Sequence, residues 1–401
     1  MVSSIRFLKE VGIILYGGQF MSRVELTSGS QLTSGGELMV ETEEHFKMKI
    51  ISMQEALAKL KDPSVFDLST TPKRIYERKE LQTISDLMAK YNVFGIPNNI
   101  IIYGPRGSGK TISILFFLNI LKKYNIKTFY VKARECPSSY TIYQKMTNTQ
   151  KFGYHPIELR ERALKEFKEK SVIVIDEADF LEDFEILYHF SRSTKASIIL
   201  LAQNIQFGKR IDEATYSSLL PSKIYFSEYD AEALYQILKM RAEDGSHTWD
   251  GTTLQLIAAI VSRDYHGDAR IAIRALFNVA ITDAWHDEEK VKNAIIEASR
   301  EIDIMSLKEL KETDLIALFV VSKIKETNKA YEIFNNYMNK IHHRPLSKPA
   351  FFRILNYLQN LGLITQIRKK VGKYYTTEID LLIDEKTIEE EFATKFSELL
   401  T

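Results

Sequence analysis

Short apolar runs alternate with longer amphipathic stretches through the middle of the chain. The runs are rich in β-branched residues and are separated mostly by helix-length segments, as expected for buried strands that alternate with helices. The predicted strands are Ile100 to Tyr103, Thr128 to Lys132, Ser171 to Asp176, Ser197 to Ala202, and Lys223 to Phe226. The pattern predicts an α/β fold with a parallel five-stranded sheet and a ligand at the carboxyl ends of its strands.

The C-terminal hundred residues have a different pattern. The predicted helices run from Thr313 to Lys325, from Ala330 to Ile341, and from Ser347 to Leu361, with Gly362 ending the third. Two strands, Leu363 to Ile367 and Tyr374 to Ile379, flank a basic turn with a glycine at its tip. Three helices followed by a hairpin predict a C-terminal winged-helix domain.

Charge is balanced over the 401 residues, with 54 Lys and Arg against 53 Asp and Glu, but it is unevenly distributed. Residues 333–377 contain no acidic residue, which favours a double-stranded DNA partner over the alternative of a solvated basic surface. The third helix would enter the major groove, and the hairpin would lie along the backbone or minor groove. The candidate DNA contacts are Ser347, Lys348, Arg353, Arg368, Lys369, Lys370 and Lys373.

Length and composition further limit the class of protein to which the chain can belong. The length predicts two or three domains, and the single cysteine, Cys136, excludes an internal disulfide framework and fits the cytoplasm. No apolar run approaches the length of a membrane span. Residues 27–36 are rich in Ser, Thr and Gly, so we expect a disordered leader over residues 1–47.

A phosphate-binding loop follows the first strand and precedes a helical stretch. Its residues are Gly104, Pro105, Arg106, Gly107, Ser108, Gly109, Lys110 and Thr111. A strand, a glycine-rich turn and a helix N-terminus direct backbone N–H groups at one point, which suits a polyphosphate. Lys110 is predicted to reach the β- and γ-phosphates of ATP, and Thr111 to bind Mg²⁺. The alternative, a chance glycine-rich turn, requires the whole spacing to be accidental.

Polar residues also follow the third and fourth strands. Asp176 would hold Mg²⁺, and Glu177 would orient or deprotonate the attacking water, the alternative being a solvated acidic turn. Asn204 could contact the γ-phosphate and the water, although an asparagine after a strand is more often a turn former. Three strand ends are therefore expected to converge on one site.

The loop, the Asp176-Glu177 pair and Asn204 resemble Walker A, Walker B and sensor one of an AAA+ ATPase. The stretch from Ser217 to Ala242 resembles the archaeal replication initiators, relatives of the largest origin recognition complex subunit and of the eukaryotic helicase-loading factor. The resemblance runs from about Ser64 to the C-terminus. It implies an AAA+ domain over 48–229, a helical lid over 230–304 and a winged helix over 305–401.

The resemblance also assigns roles to other residues. Arg270 in Gly267-Asp268-Ala269-Arg270 would be sensor two on the lid, the alternative being a surface arginine near a helix start. Ile75, Tyr76 and Arg78 match the segment that lines the adenine pocket, although a charged amphipathic helix start explains them equally well. Lys145 and Lys151 lie in an insert that resembles an initiator element touching DNA phosphates, or in a plain solvated loop.

These observations predict a slow ATPase and replication initiator that recognises origin DNA, associates with the nucleoid, and helps recruit or load the replicative helicase beside another initiator paralogue. Two other classes stay open. One is a signal-transduction NTPase that regulates transcription, which Pro105-Arg106 slightly favours and Gly267-Asp268-Ala269-Arg270 opposes. The other is a clamp-loading subunit or AAA+ motor, which predicts a working arginine finger and no wing.

One departure from the family pattern concerns that finger. The initiators commonly carry Asp-Pro-Arg-x-x before Ser-Ser-Leu, and this register places Ala214 at the finger position. Arg210, four residues upstream, could in principle substitute, although its offset of one turn would move the guanidinium by about 5 Å if that segment is helical. We therefore expect little or no ATPase stimulation when the chain associates with itself.

Overall fold

The computed structural model describes residues 48, 50–51, 53–149, 153, 155–371 and 374–396, with backbone alone at 368–371 and 374–376. The predicted leader lies outside these residues, as do Lys151 and Lys373. The chain divides into two compact units: residues up to Arg74 with Asp230–Ala298, and Ile75–Tyr229 with Ser299 onwards. In the described part of the chain, no helix is both long enough and apolar enough to span a membrane.

The second unit contains the parallel five-stranded sheet, which confirms the predicted α/β fold. Its strands are β1 (Ile100–Tyr103), β2 (Lys127–Lys132), β3 (Ser171–Asp176), β4 (Ala196–Ala202) and β5 (Ser222–Tyr225). They lie in the order β2-β3-β4-β1-β5, and every neighbouring pair is parallel. The central strands β1, β3 and β4 are buried along their whole length, which explains their continuous apolar sequences.

Helices cover both faces of this sheet. They are α1 (Lys79–Phe94), α2 (Lys110–Lys123), α3 (Ser139–Met146), α4 (Pro156–Glu166), α5 (Glu185–Ser193) and α6 (Glu213–Leu219). Successive strand residues point to opposite faces, so Ile101 and Ile175 join one apolar cluster while Ile102 and Val174 join another. The two clusters fix the register of the sheet and hence the positions of the loops at its carboxyl edge.

The first unit is helical, as predicted for the lid. Its helices are α7 (Ala231–Gly245), α8 (Gly251–Asp264), α9 (Ala269–Thr282) and the beginning of α10 (Glu288–Lys308). The described residues up to Arg74 group with these helices and not with the sheet, whereas the sequence analysis placed residues 48–229 in one domain. Buried Phe66 packs on Phe277 with ring centroids 5.7 Å apart, and Arg74 pairs with Asp244 at 2.7 Å.

The winged helix follows in the second unit. It comprises α11 (Glu312–Lys323), α12 (Thr327–Lys340), α13 (Lys348–Asn360), β6 (Ile364–Val371), β7 (Tyr374–Leu381) and α14 (Glu385–Lys395). The two strands are antiparallel, and Val371 pairs with Tyr374 across the turn. The helix α14 was not among the elements predicted from the sequence. Its buried Ile388 and Phe392 are four residues apart, and Phe392 stacks on Phe319 at 3.8 Å.

Candidate nucleotide site and nucleic-acid interface

The phosphate-binding loop joins β1 to α2 in a conformation that favours glycine at positions 104, 107 and 109. Gly104 has a φ of +156°, and a Cβ there would overlap the carbonyl oxygen of Phe226. Gly109 has a φ of +81°, and a Cβ there would overlap the hydroxyl of Tyr229. Gly109 also precedes α2 without providing a side-chain cap. The first turn of the helix can therefore offer its N–H groups to an anion.

Lys110 is buried within this loop. Its Nζ donates hydrogen bonds to the carbonyl oxygens of Gly104 at 2.6 Å and Pro105 at 2.7 Å. Ser108 Oγ donates to the Pro105 carbonyl as well, at 2.8 Å. These contacts fold the loop around the ammonium group of Lys110.

Thr111 and Asp176 meet at the carboxyl edge of the sheet. Thr111 Oγ1 donates to Asp176 Oδ2 at 2.8 Å, and the hydroxyl of Tyr130 donates to the same oxygen at 2.7 Å. A hydroxyl and a buried carboxylate fit Mg²⁺, which usually takes one or two carboxylates and completes its shell with phosphate and water oxygens. Within the described ranges, no group of three or more His, Cys, Asp or Glu residues could hold a metal alone.

Glu177 lies next to this pair in a left-handed backbone conformation, with a φ of +53°. Its Oε2 is buried and has no hydrogen-bond partner among the described residues. Burial raises the pKa of the Glu177 carboxyl, and the neighbouring charge of Asp176 raises it further. A carboxylate of raised pKa, buried and unpaired beside a phosphate loop, suits a group that accepts a proton from water.

Asn204 follows β4 and is exposed. Its Oδ1 accepts a hydrogen bond from the backbone N–H of Gln206 at 2.8 Å, so the side chain forms the turn that was the alternative reading. Its own N–H donates to Asp179 at 3.2 Å, and the N–H of Gln203 donates to the same carboxylate at 2.5 Å. Sequence reasoning assigned no role to Asp179, although it stands two residues after Glu177. The sensor role of Asn204 stays a prediction.

Of the predicted adenine-pocket residues, Arg78 and Tyr76 lie against the loop and its neighbours. Arg78 Nη1 donates to the carbonyl oxygen of Ser108 at 2.8 Å, and Nη2 donates to that of Ser227 at 3.1 Å. Its guanidinium lies 4.8 Å from the ring centroid of Tyr229, and the Tyr76 ring contacts that ring edge-on at 6.3 Å. Arg78 thus ties the phosphate loop to the segment after β5. A contact with the base remains a prediction, as it does for half-buried Ile75.

Arg270 belongs to the helical unit and lies in the first turn of α9. Asp268 caps this helix through the N–H of Arg270 at 2.9 Å and also accepts from Arg270 Nε at 3.0 Å. Asp268 therefore both starts the helix and orients the guanidinium. The role of Arg270 as sensor two stays a prediction.

Ala214 lies in the first turn of α6, which Asp212 caps. Arg210 ends the short 3-10 helix Phe207–Arg210, and its guanidinium donates to the carbonyl oxygens of Asp179 at 2.5 Å and Leu181 at 2.8 Å. These bonds hold Arg210 on the turn that follows β3 in its own chain. In this structure Arg210 therefore stabilises the fold of its own chain.

The predicted DNA contacts lie on the winged helix and on the insert between β2 and β3. Ser347 precedes α13, and Lys348 and Arg353 are exposed on that helix. The backbone of Arg368, Lys369 and Lys370 lies in β6. Lys145 is on α3, in the insert, where it pairs with Glu135 at 3.1 Å.

Known proteins share this architecture. A family model described as an AAA domain matches residues 97–211. ORC1-type DNA replication protein 1 of Sulfurisphaera tokodaii is 31% identical over 340 residues, covering 76% of this chain and 85% of the relative. ORC1-type DNA replication protein 1 of Archaeoglobus fulgidus is 27% identical over 367 residues, covering 82% of this chain and 89% of the relative.

Solved structures resemble the chain in fold. The Aeropyrum pernix ORC1 protein in complex with DNA matches with a TM-score of 0.68 at 23% identity, over 85% of this chain and 99% of that chain. The Aeropyrum pernix ORC2 protein, described with ADPNP-ADP complexes, matches with a TM-score of 0.53 at 20% identity, over 84% of this chain and 99% of that chain. These likenesses confirm the AAA+ fold.

Proposed function

Because the chain belongs to the family of ORC1-type DNA replication proteins, we propose that it is an initiator that binds ATP and recognises double-stranded origin DNA. The observation that carries this proposal is that the Lys110 loop, the Asp176-Glu177 pair and the winged helix lie in one compact unit. In the same proposal, the protein helps recruit or load the replicative helicase, and slow ATP hydrolysis acts as the switch.

The nucleotide chemistry follows from the groups at the sheet edge. The loop N–H groups and Lys110 would bind the triphosphate, and Thr111 and Asp176 would hold Mg²⁺ with it. Mg²⁺ would neutralise charge on the phosphates. Glu177 would accept the proton of the attacking water, and its position beside Asp176 supports that role. The ADPNP-ADP complexes described for the Aeropyrum pernix ORC2 protein support nucleotide binding here.

The two alternative functions are less well supported than the role of replication initiator. Family membership disfavours a transcription-regulating NTPase, despite Pro105-Arg106 in the loop. The winged helix and the internal bonds of Arg210 disfavour a clamp-loading subunit or motor with a working finger. Arg270 and Asn204 would sense the nucleotide, and Ile75, Tyr76 and Arg78 would line the adenine pocket.

Replacing the four wing cations with glutamine is expected to flatten the salt dependence of DNA binding. If each cation neutralises one phosphate, the slope of log affinity against log salt falls by roughly 3 to 4 units. Fluorescence anisotropy with an origin duplex at several salt concentrations measures the slope. The substitutions are at Arg368, Lys369, Lys370 and Lys373.

A matched control replaces four exposed cations of the α/β region, which should leave the slope unchanged. These are Lys122, Lys123, Lys165 and Lys168. If both quadruple variants have the same slope of log affinity against log salt, the winged helix is not the main DNA site. The insert with Lys145 and Lys151 then becomes the better candidate.

Turnover per subunit is expected to be independent of protein concentration, because Ala214 supplies no arginine finger and Arg210 is bonded within its own chain. A steady-state titration of the chain alone and on duplex DNA measures this. Arg210→Ala should lower the melting temperature and leave the turnover per subunit independent of protein concentration. Lys209→Ala is the control. A steep rise with concentration that disappears only in Arg210→Ala would establish self-activation, and the proposed partnership with a different paralogue would then be unnecessary.

A further inference from the structure

The phosphate-binding loop carries a second cation besides Lys110. Arg106 is half-buried, and the loop from Gly104 to Thr111 contains these two cations and no acidic residue. Backbone N–H groups and one lysine are sufficient for a loop of this kind to bind a polyphosphate. An arginine adds five donors in a planar fork that matches two phosphate oxygens at once. Arg106 therefore gives this loop a capacity for phosphate recognition that the shared motif does not require.

The backbone places Arg106 next to the ammonium group of Lys110. Lys110 Nζ donates to the carbonyl oxygen of Pro105 at 2.7 Å, and the carbon of that carbonyl group is bonded to the backbone nitrogen of Arg106. Lys110 is the residue proposed to reach the β- and γ-phosphates. The long side chain of Arg106 therefore begins beside the expected position of the γ-phosphate, and rotations about its own bonds can direct the guanidinium there.

The Arg106 side chain also lies beside the turn that follows α13. A Cβ added to Gly362 would be 3.7 Å from Arg106 Cδ and 3.8 Å from its Nε, and the φ of +64° at Gly362 favours glycine. Arg134, after β2, holds α13 beside the sheet edge, because its guanidinium donates to the hydroxyl of Tyr357 at 3.2 Å and to Glu309 Oε2 at 2.6 Å. The turn therefore closes one side of the space open to the Arg106 guanidinium.

Electrostatics favour a terminal phosphate over the helix end beside Arg106. The C-terminus of a helix carries a partial charge equivalent to roughly −0.5. A terminal phosphate carries about −1.5 to −2 at pH 7. During phosphoryl transfer its charge is spread over three equatorial oxygens. A guanidinium within reach of both groups is therefore expected to bind the phosphate.

The position of the usual arginine finger is occupied by Ala214 in this chain. Arg210 donates to the carbonyl oxygen of Asp179 at 2.5 Å and is held on the turn after β3. We propose that Arg106 is a catalytic residue that binds the γ-phosphate of ATP in cis and takes the place of the finger. This inference rests on the proposed ATPase function and adds to it a residue that acts within its own site.

The role of Arg106 in the reaction is to stabilise charge. The oxygen of water forms a bond to the γ-phosphorus, the bond from that phosphorus to the β–γ bridging oxygen breaks, and a proton of the water passes to Glu177. The electron pair of the broken bond stays with ADP, and inorganic phosphate is the other product. The Arg106 guanidinium would donate to the γ-phosphate oxygens on which negative charge develops.

Arg106→Ala is expected to raise the dissociation constant of ADPNP about tenfold and to leave that of ADP unchanged, because only ADPNP has a γ-phosphate. Titration calorimetry of the full chain with Mg²⁺ measures both constants. Arg106→Lys should retain part of the discrimination, since it keeps the charge and loses the fork. The matched control is Arg160→Ala, which removes a half-buried arginine from α4 of the same compact unit and should leave both constants at their wild-type values.

Single-turnover hydrolysis tests the catalytic role and the cis arrangement. The rate constant of Arg106→Ala should fall about a hundredfold or more, since an arginine finger is worth roughly 10³ to 10⁵ in kcat. An equimolar mixture of Arg106→Ala with Glu177→Gln should hydrolyse ATP no faster than the sum of the two variants measured separately. Neither chain in that mixture has both groups in one site.

The proposal is overturned if Arg106→Ala keeps the wild-type ratio of the ADPNP and ADP dissociation constants, or if it hydrolyses ATP at the wild-type rate. Recovery of activity in the mixture would also overturn it, because Arg106 would then act in a neighbouring chain. A lower melting temperature with an unchanged ratio would assign Arg106 to the contact with the winged helix alone. A wild-type chain that binds neither nucleotide would instead refute the proposed function.

Discussion

Lys110→Ala is expected to weaken ATP binding by about a hundredfold or more, because an ammonium bound to phosphate oxygens makes charge-assisted bonds of roughly 1.5–3 kcal/mol each. Here the ammonium is buried and already directed into the loop by the carbonyl groups of Gly104 and Pro105. Titration calorimetry with ATP and Mg²⁺ measures the loss.

The matched control is Lys123→Ala, which removes an exposed lysine from the last turn of the same helix, α2. Its ATP affinity should equal that of the wild type. Melting temperatures of both variants identify any loss of fold. ATP affinity that survives in a folded Lys110→Ala variant would contradict the assignment of the loop as the triphosphate site.

Glu177→Gln is expected to lower kcat for ATP hydrolysis by about 10²- to 10⁴-fold while ATP affinity is retained. The substitution keeps the size of a buried side chain and removes its negative charge, and with the charge its ability to accept a proton. Single-turnover hydrolysis with the protein in excess separates the chemical step from product release.

Glu182→Gln, five residues further on and exposed, serves as the control and should hydrolyse ATP at the wild-type rate. Unaltered hydrolysis in Glu177→Gln would show that another group activates the water. Loss of ATP binding together with hydrolysis would instead assign Glu177 to the structure of the loop.

The sheet and the loop were predictable because their determinants are local. The run from Val172 to Ile175 is apolar on both faces, which identifies a central parallel strand, and the glycine spacing before Lys110 defines a phosphate loop without any tertiary information. The helix Glu385–Lys395 was missed because its acidic residues obscured the buried pair Ile388 and Phe392.

Contacts between distant residues were not predictable. Arg134 and Glu309 are 175 positions apart, and no periodicity or motif links an arginine after a strand to a glutamate after a helix. The bond from Arg210 to the Asp179 carbonyl depends on how the turn after β3 packs against the 3-10 helix after β4. Such pairs arise from the assembled fold, and the single sequence carries no signal for them.

Chromosomal crosslinking of the protein, read against genome-wide DNA copy number in growing cells, tests the central claim most directly. An initiator is expected to give a few sharp peaks that coincide with copy-number maxima and are lost in a Lys348→Ala, Arg353→Ala variant, whose substitutions lie on the exposed part of α13. Many peaks at promoters, with none at the copy-number maxima, would contradict the account and support a transcriptional regulator.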